Sequence, residues 1–203
     1  MGNAKQAELF AAAPELPEGF LYVEDVVADE EQTQLLEQIN GLTFSEIRMH
    51  GVAAKRRTIH FGYSYDFQSF ELTAASAIPD FLLPIRAKAA ALTQLPPHDF
   101  REALITEYQP GAGIGWHRDA PHFGTVAGIS LLGACSMQFR PWVGGRDNLP
   151  AERRRGAHLV QQLAPRSAYV LTGPVREKWQ HRIPSTKALR YSVTFRTIRG
   201  RRG

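Results

Sequence analysis

A single cysteine, Cys135, stands in a chain of 203 residues, so no internal disulfide can form and the fold must be held by packing and hydrogen bonding. Leu131, Leu132 and Ala134 beside it are apolar, which predicts a buried structural thiol. There is no run of 18 apolar residues and no basic-then-apolar opening segment, so we expect neither a membrane-spanning helix nor a secretory leader, and a cytoplasmic location. Met1-Gly2 is followed at position 6 by Gln6, where an N-myristoylation signal has Ser or Thr. Excess charge of either sign is also small, at +4 formally. The basic residues are nevertheless bunched, in Lys55-Arg56-Arg57, in Arg153-Arg154-Arg155 and in the acid-free tail Arg196 to Arg202. Three such clusters are the footprint expected of a protein that approaches phosphates.

With 43% apolar and 22% charged residues and no shift in composition, the chain reads as one globular domain over residues 17–203, preceded by an aperiodic and flexible arm over 1–16. Within the arm, Gln6, Leu9 and Phe10 resemble the Gln-x-x-Leu-Phe peptide with which repair and replication proteins dock on a sliding clamp. An edge strand is expected over Phe20 to Val27. A helix capped by Asp29, with Gln32 three residues on, should run to Asn40-Gly41 and bury Leu35, Leu36 and Ile39. A second is expected from Pro79 to about Gln94, closed by Pro96-Pro97.

From Phe100 onward the pattern changes to short strands: Ala103 to Tyr108, Gly115 to Asp119, Val126 to Leu132, Cys135 to Arg140, Ala157 to Leu163, Ser167 to Thr172 and Leu189 to Thr197. Turns rich in Gly, Pro or charge separate them, with a hairpin tip from Trp142 into the arginine run. Strands at this spacing fit a jelly roll, a mainly β double-stranded β-helix with supporting helices.

The chemistry concentrates in a few of these strands. His117 and Asp119 are two apart, and on a strand such residues share a face, so both side chains can reach one point. A second histidine from a later strand would give two nitrogens and one carboxylate on one side of an ion, the ligand set of non-haem Fe(II) oxygenases. Among seven His and seven Asp a lone His-x-Asp carries little weight. Here it is followed by His181 and by Arg190 and Arg196, six apart and again on one face. An arginine buried beside a metal needs an anion, and its fork suits a carboxylate, so the order reads as a metal with a dicarboxylate cosubstrate.

Tyr108-Gln109-Pro110-Gly111, His117-Arg118-Asp119, the distal His181 and Arg190-Tyr191-Ser192-Val193-Thr194-Phe195-Arg196 together resemble the core of the AlkB family of Fe(II)/2-oxoglutarate dioxygenases. The resemblance spans Leu104 to Arg196. It implies that His117, Asp119 and His181 bind Fe(II), and that Arg190 and Tyr108 hold the distal carboxylate of 2-oxoglutarate. Arg196 would stand near the metal-bound carboxylate and Asp119, with Thr106 and Ser192 also in the cosubstrate site. O₂ is the remaining cosubstrate.

The activity so implied is oxidative demethylation of modified bases in DNA or RNA, with formaldehyde, succinate and CO₂ as products. Alternatives on the same core are hydroxylation of a tRNA base, or hydroxylation or demethylation of a protein side chain. Two positions depart from the repair members: Thr106 stands where they often have Asn, and Pro121 where many have an acidic residue. The segment 44–70 corresponds to the family's substrate lid. It interleaves cations with aromatic rings, a combination that grips nucleic-acid backbone and stacks on bases. Arg57, His60, Tyr63 and Tyr65 are the expected substrate contacts there, with His122 beside the metal site. Trp116 and Trp179 each flank a ligand and are expected to pack in the core.

Overall fold

The computed structural model describes residues 16–49, 52–65, 71–142 and 158–199. The clamp-like Gln6, Leu9 and Phe10, the Arg153–Arg155 cluster, residues 66–70 of the lid segment and the tail beyond 199 lie outside the described residues.

In chain order the strands are β1 (Phe20–Val23), β2 (Ser45–Met49), β3 (Val52–Phe61), β4 (Tyr63–Tyr65), β5 (Leu72–Ala74), β6 (Phe100–Tyr108), β7 (Ile114–His117), β8 (Phe123–Leu132), β9 (Cys135–Pro141), β10 (Leu159–Leu163), β11 (Ala168–Leu171), β12 (Trp179–Ile183) and β13 (Arg190–Ile198). Among the described residues the α-helices are α1 (Asp29–Asn40), α2 (Leu83–Ala91) and the five-residue α3 (Pro174–Lys178). A major sheet runs β1-β11-β8-β13-β6-β3-β2 and a minor one β10-β9-β12-β7, while β4 and β5 pair by themselves. This is the jelly roll the strand spacing implied.

The period of two along β13 organises the molecule. Tyr191, Val193 and Phe195 turn to one side, where with Ile105 of β6 and Ile129 of β8 they join Leu35, Ile39, Ile85 and Ala89 in one core beneath α1 and α2. Arg190, Ser192, Thr194 and Arg196 turn to the other side, toward the minor sheet. Truncating a fully buried member of the first core, such as Phe195, is expected to cost about 3–5 kcal/mol. A second core, including Met137, Phe139, Leu163 and Leu171, fills one end of the space between the sheets and leaves the other end hollow.

Helix α1 begins at Asp29, the residue expected to cap it, so the cap moves one residue earlier. Ala28 is the N-cap, its N–H donating to Glu31 at 3.4 Å, while the Asp29 carboxylate is taken by Arg166 at 3.0 Å. α2 starts later than expected because a 3-10 turn over Asp80–Leu82 precedes it. The edge strand closes at Val23 instead of Val27, and the segment expected as a lid contributes the antiparallel strands β2 and β3, of which β3 extends the major sheet along β6.

Candidate active site

The turn after Tyr108, through Pro110 and Gly111, brings the chain from the major sheet into the site. Gly111 takes φ of +85°, and a Cβ on Gly113 would stand 2.6 Å from the Ile183 carbonyl, so β7 can lie against β12 only with glycine there. β7 ends at His117, not at Asp119 as expected, so shared strand face is not what brings these two together. His117 instead pairs in register with His181, placing the two imidazole centroids 4.3 Å apart. Asp119, just past the strand, is drawn in from the other side, with its Oδ2 3.7 Å from His181 Nε2. One ligating atom from each of His117, Asp119 and His181 lies within 4.8 Å of the others.

Two arginines hold the carboxylate. Arg176 Nη1 donates to Asp119 Oδ2 at 2.9 Å and Arg196 Nη2 to Oδ1 at 3.3 Å. Burial alone would raise the Asp119 carboxyl, but the two guanidiniums outweigh it and hold the group ionised well below the usual range. Arg176 is itself fixed by the carbonyls of Gly124 and Phe123, both at 2.9 Å. Arg196 spends Nη1 on both oxygens of Glu102, at 2.9 and 2.8 Å, and although burial opposes its charge, Glu102 and Asp119 drive its pKa above the ordinary value.

The histidines are kept neutral. Burial lowers His181 to about 3 and depresses His117 as well. His117 Nδ1 lies 2.9 Å from the Gly115 carbonyl, which can only accept, so the proton sits on Nδ1 and Nε2 is free to ligate. Two neutral imidazole nitrogens and one carboxylate on one side of a point suit Fe(II).

Four of the five residues expected at the cosubstrate, Thr106, Tyr108, Ser192 and Arg196, line a cavity of about 480 Å³ together with His117, Asp119 and His181. Arg190 is fully buried one step along β13 from Ser192. Its Nε donates to Ser130 Oγ at 3.1 Å, its guanidinium lies 5.0 Å from the Tyr108 ring centroid, and neither Nη atom has a partner. Among the described residues no carboxylate pairs with it. A buried cationic fork without an anion is what the end of a dicarboxylate would complete, so the residues fit 2-oxoglutarate. Burial raises the Tyr108 phenol, which therefore stays a donor at neutral pH.

The expected substrate residues separate. His60 and Tyr65 line the cavity. Arg57 does not, and here the expectation is corrected. The alternation along β3 sends Arg56, Thr58 and His60 inward, so Arg57 turns to the helix side, where Nε and Nη2 grip Glu107 at 2.9 Å each. Tyr63 stacks against Arg101, 4.9 Å from ring centroid to guanidinium, and bonds it through its hydroxyl, outside the cavity. His122 is exposed at the rim, 5.5 Å from the Tyr65 ring. Trp179 packs on the core between the sheets as expected, whereas Trp116 borders the cavity among arginines. Arg176 and Glu102 were not anticipated. Nothing in Pro174-Val175-Arg176 marks the arginine, but counting back by twos from Tyr108 through Thr106 and Leu104 places Glu102 on the cavity face.

The model of the 2OG-Fe(II) oxygenase superfamily matches residues 19–197. The chain belongs to this superfamily. The solved structure of OsALKBH1 superposes with a TM-score of 0.68 at 15% identity, covering 90% of this chain and 98% of that one, so the AlkB-like fold is shared. The mouse tRNA (carboxymethyluridine(34)-5-O)-methyltransferase ALKBH8 is 27% identical over 180 residues, 85% of this chain but 25% of that protein. An Arabidopsis thaliana alkylated DNA repair protein ALKBH8 homolog is 26% identical over 187 residues, 83% of this chain and 51% of its own. The chain thus spans a quarter to a half of these relatives. Within the superfamily the metal is Fe(II) and the cosubstrates are 2-oxoglutarate and O₂, and the cluster of His117, Asp119 and His181 fits the iron.

Proposed function

We propose that this AlkB-like domain oxidises a substituent on a modified base of DNA or RNA, removing N-methyl groups as formaldehyde. The observation that carries the oxidase chemistry is the cluster of His117, Asp119 and His181 in one cavity, with the unpaired Arg190 fork buried beside Tyr108 of the same cavity wall. Iron, 2-oxoglutarate and O₂ together supply an oxidant that exchanges C–H for C–OH while the keto acid leaves as succinate and CO₂.

The chain's own residues position and exclude. Arg190 and Tyr108 orient the keto acid, Arg176 and Arg196 keep Asp119 ionised and aimed, and Tyr65, Phe123 and Leu171 wall the cavity against water. A hydroxymethyl on nitrogen collapses to formaldehyde and free base, whereas a hydroxyl on carbon stays. A base in a duplex must be extruded to reach so enclosed a point. The relatives named for tRNA or DNA modification support a nucleic-acid substrate.

A tRNA base hydroxylated on carbon is the second reading, favoured by Pro121 in place of the acid of many repair members. Anaerobic reconstitution with Fe(II) and 2-oxoglutarate, followed by O₂ and a panel of methylated DNA, RNA and peptide substrates, tests both by mass spectrometry. Formaldehyde with free base supports demethylation and a stable hydroxylated base supports the second reading. Turnover on peptides alone rejects a nucleic-acid substrate.

A further inference from the structure

The outer face of the minor sheet has a composition that the cavity chemistry does not explain. Its four strands, β7, β9, β10 and β12, contain no Asp or Glu, yet carry Arg140 and Arg182 side by side. On β9, Phe139 and Met137 point into the core, so Arg140 and Gln138 point out; on β12, His181 points in, so Gln180 and Arg182 point out. The register then crosses the pairs. Arg140 Nε donates to Gln180 Oε1 at 2.7 Å, and Arg182 Nε to Gln138 Oε1 at 2.8 Å. Both guanidiniums also rest on one indole, their central carbons 4.6 and 4.7 Å from the Trp116 centroid. A third arginine, Arg118, lies over Trp142 at 3.4 Å.

These contacts fix the arginines without neutralising them. Glutamine neutralises nothing, indole only partly screens, and among the described residues no carboxylate pairs with Arg118, Arg140 or Arg182. Arg140 and Arg182 are tied through Nε and Arg118 through Nη1, which donates to the Glu177 carbonyl at 3.2 Å, and each plane lies over an indole, so little side-chain entropy remains to be lost when the free N–H groups meet an anion. Planar forks set along a strand pair match the non-bridging oxygens of successive phosphates. The band is also continuous with the cavity, because Trp116 and Arg118 border both.

We infer that this face is a phosphodiester track, in which Arg140 and Arg182 on Trp116, with Arg118 at the rim, hold the backbone of the strand whose base occupies the cavity. The inference rests on the nucleic-acid reading above. Interleaved rings and cations are the means by which single strands are held without reading sequence.

The test is binding of labelled single-stranded RNA and DNA 15-mers to the full chain over a salt series, with polyglutamate as competitor, comparing wild type and R140Q/R182Q. The double variant should bind at least tenfold more weakly, with the slope of log K against log salt shallower by roughly 1 to 1.5, and an unchanged melting temperature. Should it fail to fold, R140K/R182K, which keeps charge but loses the forks, should still lose severalfold affinity. Equal affinity and slope in the variant that folds overturn the track while leaving base oxidation standing. Polyglutamate competing as well as oligonucleotide overturns it too. A wild type that binds neither strand and oxidises no base overturns both.

Discussion

Arg190 of β13 reaches across to Ser130 of β8 with its Nε at 3.1 Å and leaves both terminal nitrogens buried and unpartnered. Such a group destabilises the fold until an anion arrives, so Arg190→Met should not lower the melting temperature of the metal-free, cosubstrate-free protein. It should abolish the stabilisation that 2-oxoglutarate confers, which for wild type is about 2.7 kcal/mol at a hundredfold excess over Kd. Thermal melts with and without the keto acid check both. A variant that melts lower alone yet gains as much from 2-oxoglutarate would remove Arg190 from the cosubstrate site.

Arg176 presents the opposite case, since it is already satisfied by Asp119, Gly124 and Phe123. Arg176→Met would strand the Asp119 carboxylate with Arg196 alone and free the carbonyls of Gly124, Ala120 and Phe123. We expect a loss of roughly 3–5 kcal/mol by urea unfolding and a weakened hold on Fe(II). Arg118→Met, at an exposed position, should cost little in the same assay.

The contrast between these two arginines shows what sequence can carry. Arg190 sits on a strand whose alternation is explicit, Tyr191, Val193 and Phe195 against Arg190, Ser192, Thr194 and Arg196, so its face could be read directly. The same rule reaches Glu102 through Tyr108, Thr106 and Leu104. Arg176 obeys no such rule: it lies in a five-residue helix after Gly173, and only the tertiary path carries it to Asp119. Asp119 itself reached the site for a reason other than the expected one, because β7 stops two residues earlier and ion pairing completes what strand geometry began. Arg57 went wrong for a smaller reason. In Arg56-Arg57 the phase of the alternation decides which arginine faces inward, and the partner strand β6 sets that phase.

Exchanging the roles of neighbouring residues on β3 gives a paired prediction. His60 lines the cavity with Nδ1 3.2 Å from Glu102, so His60→Ala should leave substrate-free decarboxylation of 2-oxoglutarate intact. The yield of oxidised base per succinate should fall severalfold. Arg57→Ala should leave that coupling ratio unchanged and instead cost about 1 kcal/mol of stability, because Glu107 loses its fork. A coupling defect in Arg57→Ala and none in His60→Ala would restore the original assignment.

The buried ligands make the metal-free fold sensitive to acid. Burial pulls His181 from its ordinary 6.5 to about 3, with His117 shifted the same way. Between those values the unfolded chain binds a proton that the folded chain refuses, so unfolding free energy rises with pH across the interval and levels off above 6.5. Asp119, held below its ordinary 3.8, acts in the same direction but only at lower pH. From pH 7 to pH 5 His181 alone should therefore remove roughly 2 kcal/mol. Urea titrations of chelator-treated protein at several pH values should give that slope, and His181→Asn should flatten it. Equal stability of the wild type at pH 7 and pH 5 would mean that the imidazoles are hydrated in the metal-free state and that the metal, not the fold, keeps them unprotonated.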